Sequence, residues 1–191
     1  MKVALIGTHG AGKTTIAYEL CSLIKRSGQN VELVREVARR SPFPVNAGTT
    51  LEGQLWILHT QIAAELEAAR STSNVVCDRS VLDNYCYLVN KFGRQAELEP
   101  WLFRWMKTYD LMAGISPLPE IRRDGFRSED RAFQSRIHEL LKELLEESPF
   151  AALRDRVMWL NGSDRSCWAE RIFAAAYPAQ RAADDEQQPA R

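Results

Sequence analysis

Short apolar, β-branched runs alternate with longer stretches in which apolar residues recur every third or fourth position. The first run, Val3-Ala4-Leu5-Ile6, reads as a buried strand. After it, Thr14 to Lys25 places Ile16, Leu20, Leu23 and Ile24 on one helical face, and Ser27-Gly28 stops that helix. Val31 to Val34 predicts a second strand that delivers Arg35 and Glu36 to its carboxyl end. The prolines and glycine of 35–50 predict a loop, with a short helical turn over Glu36 to Arg40. Thr49 or Thr50 then caps a long helix, Leu51 to Arg70, whose apolar stripe is Leu55, Leu58, Ile62 and Leu66.

The alternation continues. Asn74 to Asp78 predicts a third strand closed by an acid, and Ser80 caps the helix that follows. Another helix is expected over Gln95 to Tyr109, with Trp101, Leu102, Trp105 and Met106 on one face. Leu111 to Ile115 is a weaker strand pattern because Gly114 interrupts it. A charged loop precedes a helical run over Ser128 to Glu147, Arg156 to Leu160 forms a last strand, and Ser163 or Asp164 caps a helix ending near Tyr177. The pattern implies an α/β fold of three layers, α/β/α, around a mostly parallel sheet of about five strands, with ligands at the strands' carboxyl ends. We expect one domain over 1–177, a short helical lid at about 120–131, and a disordered tail over 178–191.

Composition narrows the function classes. The 191 residues suit one domain with a sizeable core, and 25 basic side chains balance 25 acidic ones, so no global field draws the chain to nucleic acid or an anionic membrane. No apolar run approaches the roughly 20 residues that span a bilayer. Met1-Lys2 leads into a strand rather than a signal peptide, and a cytoplasmic protein is expected. Cys21, Cys77, Cys86 and Cys167 lack metal-binding spacing, so reduced thiols are expected rather than a zinc site.

The chemistry concentrates first in GTHGAGKTT, residues 7 to 15, which fits G-x-x-x-x-G-K-[ST] between a strand and a helix. Glycines let the backbone curl so that N–H groups from about Gly10 to Thr15 point at phosphates, where the helix N-terminus adds its positive end. The candidate cradle is Gly7, His9, Gly10, Ala11, Gly12, Lys13, Thr14 and Thr15. Lys13 is a mobile charge for β- and γ-phosphate oxygens, and the Thr14 hydroxyl suits Mg²⁺. A glycine turn with a chance lysine is the bland alternative; the complete pattern in its strand–loop–helix setting argues for a nucleoside triphosphate with Mg²⁺, expected to be ATP, with GTP left open.

Further candidates belong to the same edge of the sheet. Asp78 suits Mg²⁺, directly or through water, and Arg79 offers a guanidinium to the transferring phosphoryl, unless it serves as a structural partner of Glu36. Glu36 is the candidate catalytic base, because a hydroxyl acceptor benefits from a carboxylate whereas a phosphate acceptor needs none. An ordinary surface ion pair or a helix-cap acid is the competing account of Glu36. Arg39, three residues on, adds a cation near the acceptor. Arg122, Arg123, Arg127 and Arg131 crowd the expected lid, and Arg127 is the preferred catalytic arginine. Gln54, Trp56, Gln61, Phe43 and Tyr85 are candidate contacts for a base, although aromatic residues more often pack in the core.

On these residues the chain resembles the small P-loop nucleoside and nucleotide kinases over roughly residues 1 to 177. GTHGAGKT, Glu36, VVCDRS and DGFRSEDR stand in the order found there, and Asp78-Arg79-Ser80 resembles the acidic-Arg-Ser motif of deoxynucleoside kinases. In that family the glutamate after the second strand is the base. EVAR and DGFRSED are similar to small AAA-type P-loop kinases that include nicotinamide riboside kinase domains. Thymidylate kinases share a DR turn but carry a proline- and glycine-rich segment where Val37-Ala38-Arg39 follows Glu36, which argues against a monophosphate acceptor. Glu36-x-x-Arg39 also fits the spacing in a bacteriophage-type polynucleotide kinase. The resemblance implies a kinase acting on a hydroxyl of a nucleoside-like small molecule. The alternatives are a hydroxyl kinase on DNA or RNA, a nucleoside monophosphate kinase, or an ATPase switch without acceptor. Pairing of two copies through a helix face stays open.

Overall fold

The computed structural model describes residues 1–117, 130–162 and 165–178. Most of the expected lid, the cap candidates Ser163 and Asp164, and the tail from 179 lie outside the described residues. Five strands form one parallel sheet: β1 (Lys2–Ile6), β2 (Glu32–Val34), β3 (Val75–Asp78), β4 (Leu111–Ile115) and β5 (Val157–Leu160), in the order β2-β3-β1-β4-β5. The chain builds β2 and β3 on one side of β1, then crosses to build β4 and β5 on the other. The carboxyl end of β1 is thus the point where the strand order reverses, where α/β sheets hold their ligands.

Helices cover both faces. α1 (Lys13–Arg26) and α6 (Trp168–Ala176) bury Ile16, Leu20, Ile24, Trp168 and Ile172 against one face. α2 (Leu51–Ser71), α3 (Val81–Phe92), α4 (Glu99–Met106) and α5 (Arg131–Glu146) pack a larger core on the other. A 3-10 turn, Val37–Arg40, follows β2 as expected, and two more, Asn46–Gly48 and Phe150–Arg156, had no sequence signal.

Three departures have physical causes. β4 is a full strand paired with both β1 and β5, because the space above Gly114 is filled by the Trp159 ring of β5; a Cβ at Gly114 would stand 2.4 Å from that ring. In α2 the buried arc is centred on Gln54, Ile57, Leu58, Gln61, Ile62 and Glu65, so Leu66, expected in the stripe, is 55% exposed. α4 starts later than the expected 95–109 helix because Pro100 fixes its first turn, and it ends at Met106.

Candidate active site

The loop after β1 is shaped by glycines in the left-handed region: Gly7, Gly10 and Gly12 have φ of 143°, 69° and 81°. A Cβ on Gly7 would stand 2.4 Å from the Ile115 carbonyl oxygen, so the loop needs its first glycine to pass the end of β4. Gly12 caps α1, which aims its N-terminus into the loop. Lys13 is 3% exposed, and its Nζ donates to the Gly7 and Thr8 carbonyls at 2.8 and 2.7 Å. Burial, and then the nearby Arg79 guanidinium, pull the Lys13 ammonium down to about 7 against the opposing pull of Asp83, Asp78 and Glu36. A buried cation whose partners are carbonyls gains most from an anion, so the loop fits a phosphate chain.

Thr14 Oγ1 donates to Asp78 Oδ2 at 2.6 Å, which brings the two expected metal ligands together at the start of α1 and the end of β3. A hydroxyl and a carboxylate are hard oxygen donors, and with phosphates and water they fit the needs of Mg²⁺. Ala11 is buried under the loop, while Thr15 is exposed in the first turn of α1.

Asp83 joins this loop to the turn after β3. Its Oδ2 accepts from the Ser80 backbone N–H and hydroxyl at 2.8 and 2.7 Å, completing a capping box at the start of α3, and its Oδ1 accepts from the Gly7 N–H at 2.7 Å. Sequence reasoning found the Ser80 cap but missed this carboxylate. The S-x-x-D spacing at 80–83 carried the signal.

Arg79 sits in that turn at φ 115°, a conformation that costs a non-glycine residue roughly 1–3 kcal/mol and persists only when its surroundings enforce it. Its side chain is buried; Nε donates to Glu36 Oε1 at 2.7 Å, and the guanidinium lies 5.2 Å from the Tyr87 ring centroid. Glu36, 6% exposed, also accepts from Arg39 Nε at 3.1 Å. Its carboxylate therefore faces inward across the end of β2, within electrostatic reach of Lys13. Burial opposes the charge on Arg79, but Glu36, and after it Tyr87, Asp83 and Asp78, hold the guanidinium firmly protonated. Among the described residues, Arg79 NH1 and Asn84 Nδ2 are buried without a hydrogen-bond partner. Both residues line a cavity of about 40 Å³ together with His9, Glu36, Gln54 and Tyr87.

The other candidates separate. Gln54 lines the cavity while its amide donates to Thr49 Oγ1 at 2.7 Å. Arg39 is half-exposed beside Glu36. Trp56 packs on Phe43, ring centroids 6.4 Å apart, and does not line the cavity. Tyr85, expected as a substrate contact, is fully buried instead: its hydroxyl donates to Glu99 at 2.7 Å and accepts from the Gln95 N–H at 2.8 Å, so it holds the α3–α4 connection. Gln61 is likewise fully buried and touches the Arg79 backbone rather than the cavity. Arg131 is exposed at the start of α5; Arg122, Arg123 and Arg127 lie outside the described residues. The start of α5 is fixed to the phosphate loop, because Gln134 Nε2 donates to the His9 carbonyl at 2.8 Å and Phe133 packs on His9 and Tyr87.

The sequence profile of the AAA domain family matches residues 2–159. The chain belongs to that family. A search of curated proteins returned no match. Among solved structures, this AAA-domain chain is similar to the NadR protein in complex with NR, at TM-score 0.71 and 20% identity over 93% of this chain and 50% of that one. It is similar to the NadR protein with NAD and AMP-PNP at TM-score 0.68 and 20% identity, over 100% of this chain and 51% of the other. Deoxyadenosine kinase from M. mycoides with products dCMP and a flexible dCDP follows at 0.61 and 17%, over 93% and 100%. The chain thus spans about half the length of the NadR chains. These likenesses show that the chain shares the α/β fold of those proteins. No helix among the described residues is long and apolar enough to cross a membrane.

Proposed function

We propose that this AAA-domain chain, over residues 1–177, is a Mg²⁺-dependent kinase that moves the γ-phosphoryl of ATP to a hydroxyl of a nucleoside-like small molecule. The observation that carries this reading is the inward-facing Glu36–Arg79 pair beside the phosphate loop, with Arg79 NH1 and Asn84 Nδ2 left as free donors at the cavity. Two unsatisfied donors beside a carboxylate suit an acceptor that brings oxygen atoms and one hydroxyl proton. The NR and dCMP bound in the structural neighbours point the same way.

In this reading Lys13 leaves the Gly7 and Thr8 carbonyls to follow the β- and γ-phosphates, and the loop N–H groups hold the remaining oxygens. Thr14 and Asp78 would hold Mg²⁺, which supplies charge neutralisation to the phosphates when bound. Glu36 accepts a hydrogen bond from the acceptor hydroxyl and takes its proton as the P–O bond forms. Because such transition states are loose, this carboxylate acts first by orienting the hydroxyl, and pairing with two arginines does not disqualify it. Arg79 spreads the charge on the transferring group, and Arg127 is proposed to close over it. Ligand-sized sites run to about 300–1,000 Å³, so the loop after β2 shifts to admit the acceptor. Free thiols at all four cysteines and the need for ATP accord with a cytoplasmic setting.

One observation favours a second reading. A groove of about 670 Å³ between β2 and α2 shares Glu36 with the cavity and is lined by Arg35, Arg39 and Arg40, a track for a polynucleotide carrying the hydroxyl. Glu32 and Glu67 in the same lining weaken it. Mass spectrometry of products from labelled ATP and a panel of nucleosides, monophosphates, nicotinamide riboside and oligonucleotides separates the readings. A phosphorylated nucleoside is expected. A phosphorylated oligonucleotide that loses affinity steeply with salt establishes the second reading, and ADP with free phosphate alone establishes a switch ATPase.

A further inference from the structure

Glu65, in the middle of α2, is 1% exposed and sits behind the site rather than in it. Its Oε2 takes the Lys2 ammonium at 2.6 Å and the Trp105 indole N–H at 2.8 Å. Lys2 is itself held over the Trp105 and Tyr109 rings, 4.7 and 4.5 Å from their centroids. A carboxylate so enclosed is expensive to desolvate, and packing alone does not require one there. The use of its other oxygen explains the arrangement.

Glu65 Oε1 accepts from Gln61 Nε2 at 2.9 Å and from the Tyr109 hydroxyl at 2.7 Å. Each of these two groups also reaches the turn after β3. Gln61 Nε2 donates its second hydrogen to the Arg79 carbonyl at 3.2 Å, and the Tyr109 oxygen accepts the Val81 N–H at 3.1 Å. Gln61 Oε1 has no partner among the described residues, so the amide is turned wholly to serve two acceptors. The two arms grip the peptide groups on either side of Ser80. They fix the backbone from the residue whose φ is 115° to the first residue of α3. Asp83 holds Ser80 between them.

We propose that Gln61 and Tyr109, both anchored by Glu65, are positioning residues that enforce the strained Arg79 backbone and so aim its guanidinium at Glu36 and the acceptor. The inference rests on the kinase reading for its catalytic consequence but not for the positioning itself. Without the arms the Arg79 peptide relaxes toward negative φ, which swings the side chain out of line with Glu36. Neither residue touches the cavity.

The test measures two quantities in Gln61→Leu, which puts an apolar side chain of comparable bulk in place of the amide and removes both donated bonds. The first is the Arg79 Nε–H resonance in ¹H–¹⁵N correlation spectra, identified by its loss in Arg79→Ala; in Gln61→Leu it is expected to shift and exchange with solvent faster. The second is kcat for transfer, expected to fall about 10- to 100-fold with ATP affinity unchanged, since displacement of a catalytic group by about 1 Å costs this much. In an Arg79→Ala background the same Gln61→Leu change is expected to cost less than about twofold, because a residue that acts through Arg79 has nothing left to position. A merely structural Gln61 lowers kcat equally in both backgrounds, or lowers only the melting temperature, and either result overturns the proposal. An unchanged Nε–H resonance overturns it as well. If Gln61→Leu does not fold, Tyr109→Phe is read by the same criteria through the other arm. If the unmodified chain transfers phosphoryl to no acceptor, the kinase reading fails while the resonance still decides the positioning.

Discussion

In the proposed site, consecutive residues between Gly7 and Thr15 supply the phosphate cradle, whereas the acceptor side draws Glu36 from the end of β2, Gln54 from α2, Arg79 from the turn after β3, and Asn84 and Tyr87 from α3. The cradle works mainly through backbone geometry. Three glycines set its curl, and Lys13 and the α1 N-terminus add charge to a shape the main chain already has. The acceptor side works through side chains held by other side chains. Its central ion pair is buried on both partners, its arginine is strained, and two of its donors are unsatisfied. A loop made of backbone suits any nucleotide tail, while a pocket made of side chains can be selective, and the strain at Arg79 falls in the proposed acceptor half.

Substitutions should respect this division. Lys13→Ala is expected to lower transfer by about 10²–10³-fold, the loss of one pre-aimed phosphate donor, and to weaken ATP binding at the same time; steady-state kinetics and titration of ATP check both. Normal ATP affinity in that variant would move the nucleotide away from the loop.

The next effect is one of pH. In the empty protein Lys13 sits at about 7, and phosphates raise it by adding negative charge. ATP binding therefore draws in a proton whenever the pH exceeds about 7. Affinity should be level below that point and fall by up to about tenfold per pH unit above it, until the bound lysine itself titrates. Calorimetry at pH 8 in two buffers of different ionisation enthalpy should register proton uptake that disappears in Lys13→Ala. Equal heats in both buffers would mean that Lys13 is already charged in the empty loop.

The smallest effect is expected at Tyr85→Phe. The hydroxyl bonds Glu99 and the Gln95 N–H, so its loss should cost about 1–3 kcal/mol in a denaturant melt and leave transfer within twofold of the unmodified chain. A larger loss of transfer than of stability would return Tyr85 to the acceptor pocket.

The same contrast explains what the sequence revealed. The cradle was legible because its residues are contiguous and flanked by an apolar strand and an amphipathic helix. The parallel sheet and the covering helices were legible from their alternation. Gly114 weakened β4 on paper because its cover, Trp159, lies 45 positions later in the chain and is brought to it only by register. Leu66 joined the apolar stripe of α2 because that face was read from apolar residues alone. The face that is buried carries Gln54, Gln61 and Glu65, whose partners lie in other elements. Glu36 and Arg79 were identifiable by type and position at strand ends, but their direct bond, 43 positions apart in sequence, was not. Arg127 lies outside the described residues, and its role rests on the charge pattern of 121–131.

In the proposed reaction Glu36 serves the acceptor and not the nucleotide. Single-turnover transfer with Glu36→Gln, measured beside ATP affinity on the same preparation, tests it most directly. A loss of about 10²-fold or more in transfer is expected, with ATP affinity changed less than about threefold. Equal transfer rates in the two proteins, or a loss confined to ATP binding, would contradict it.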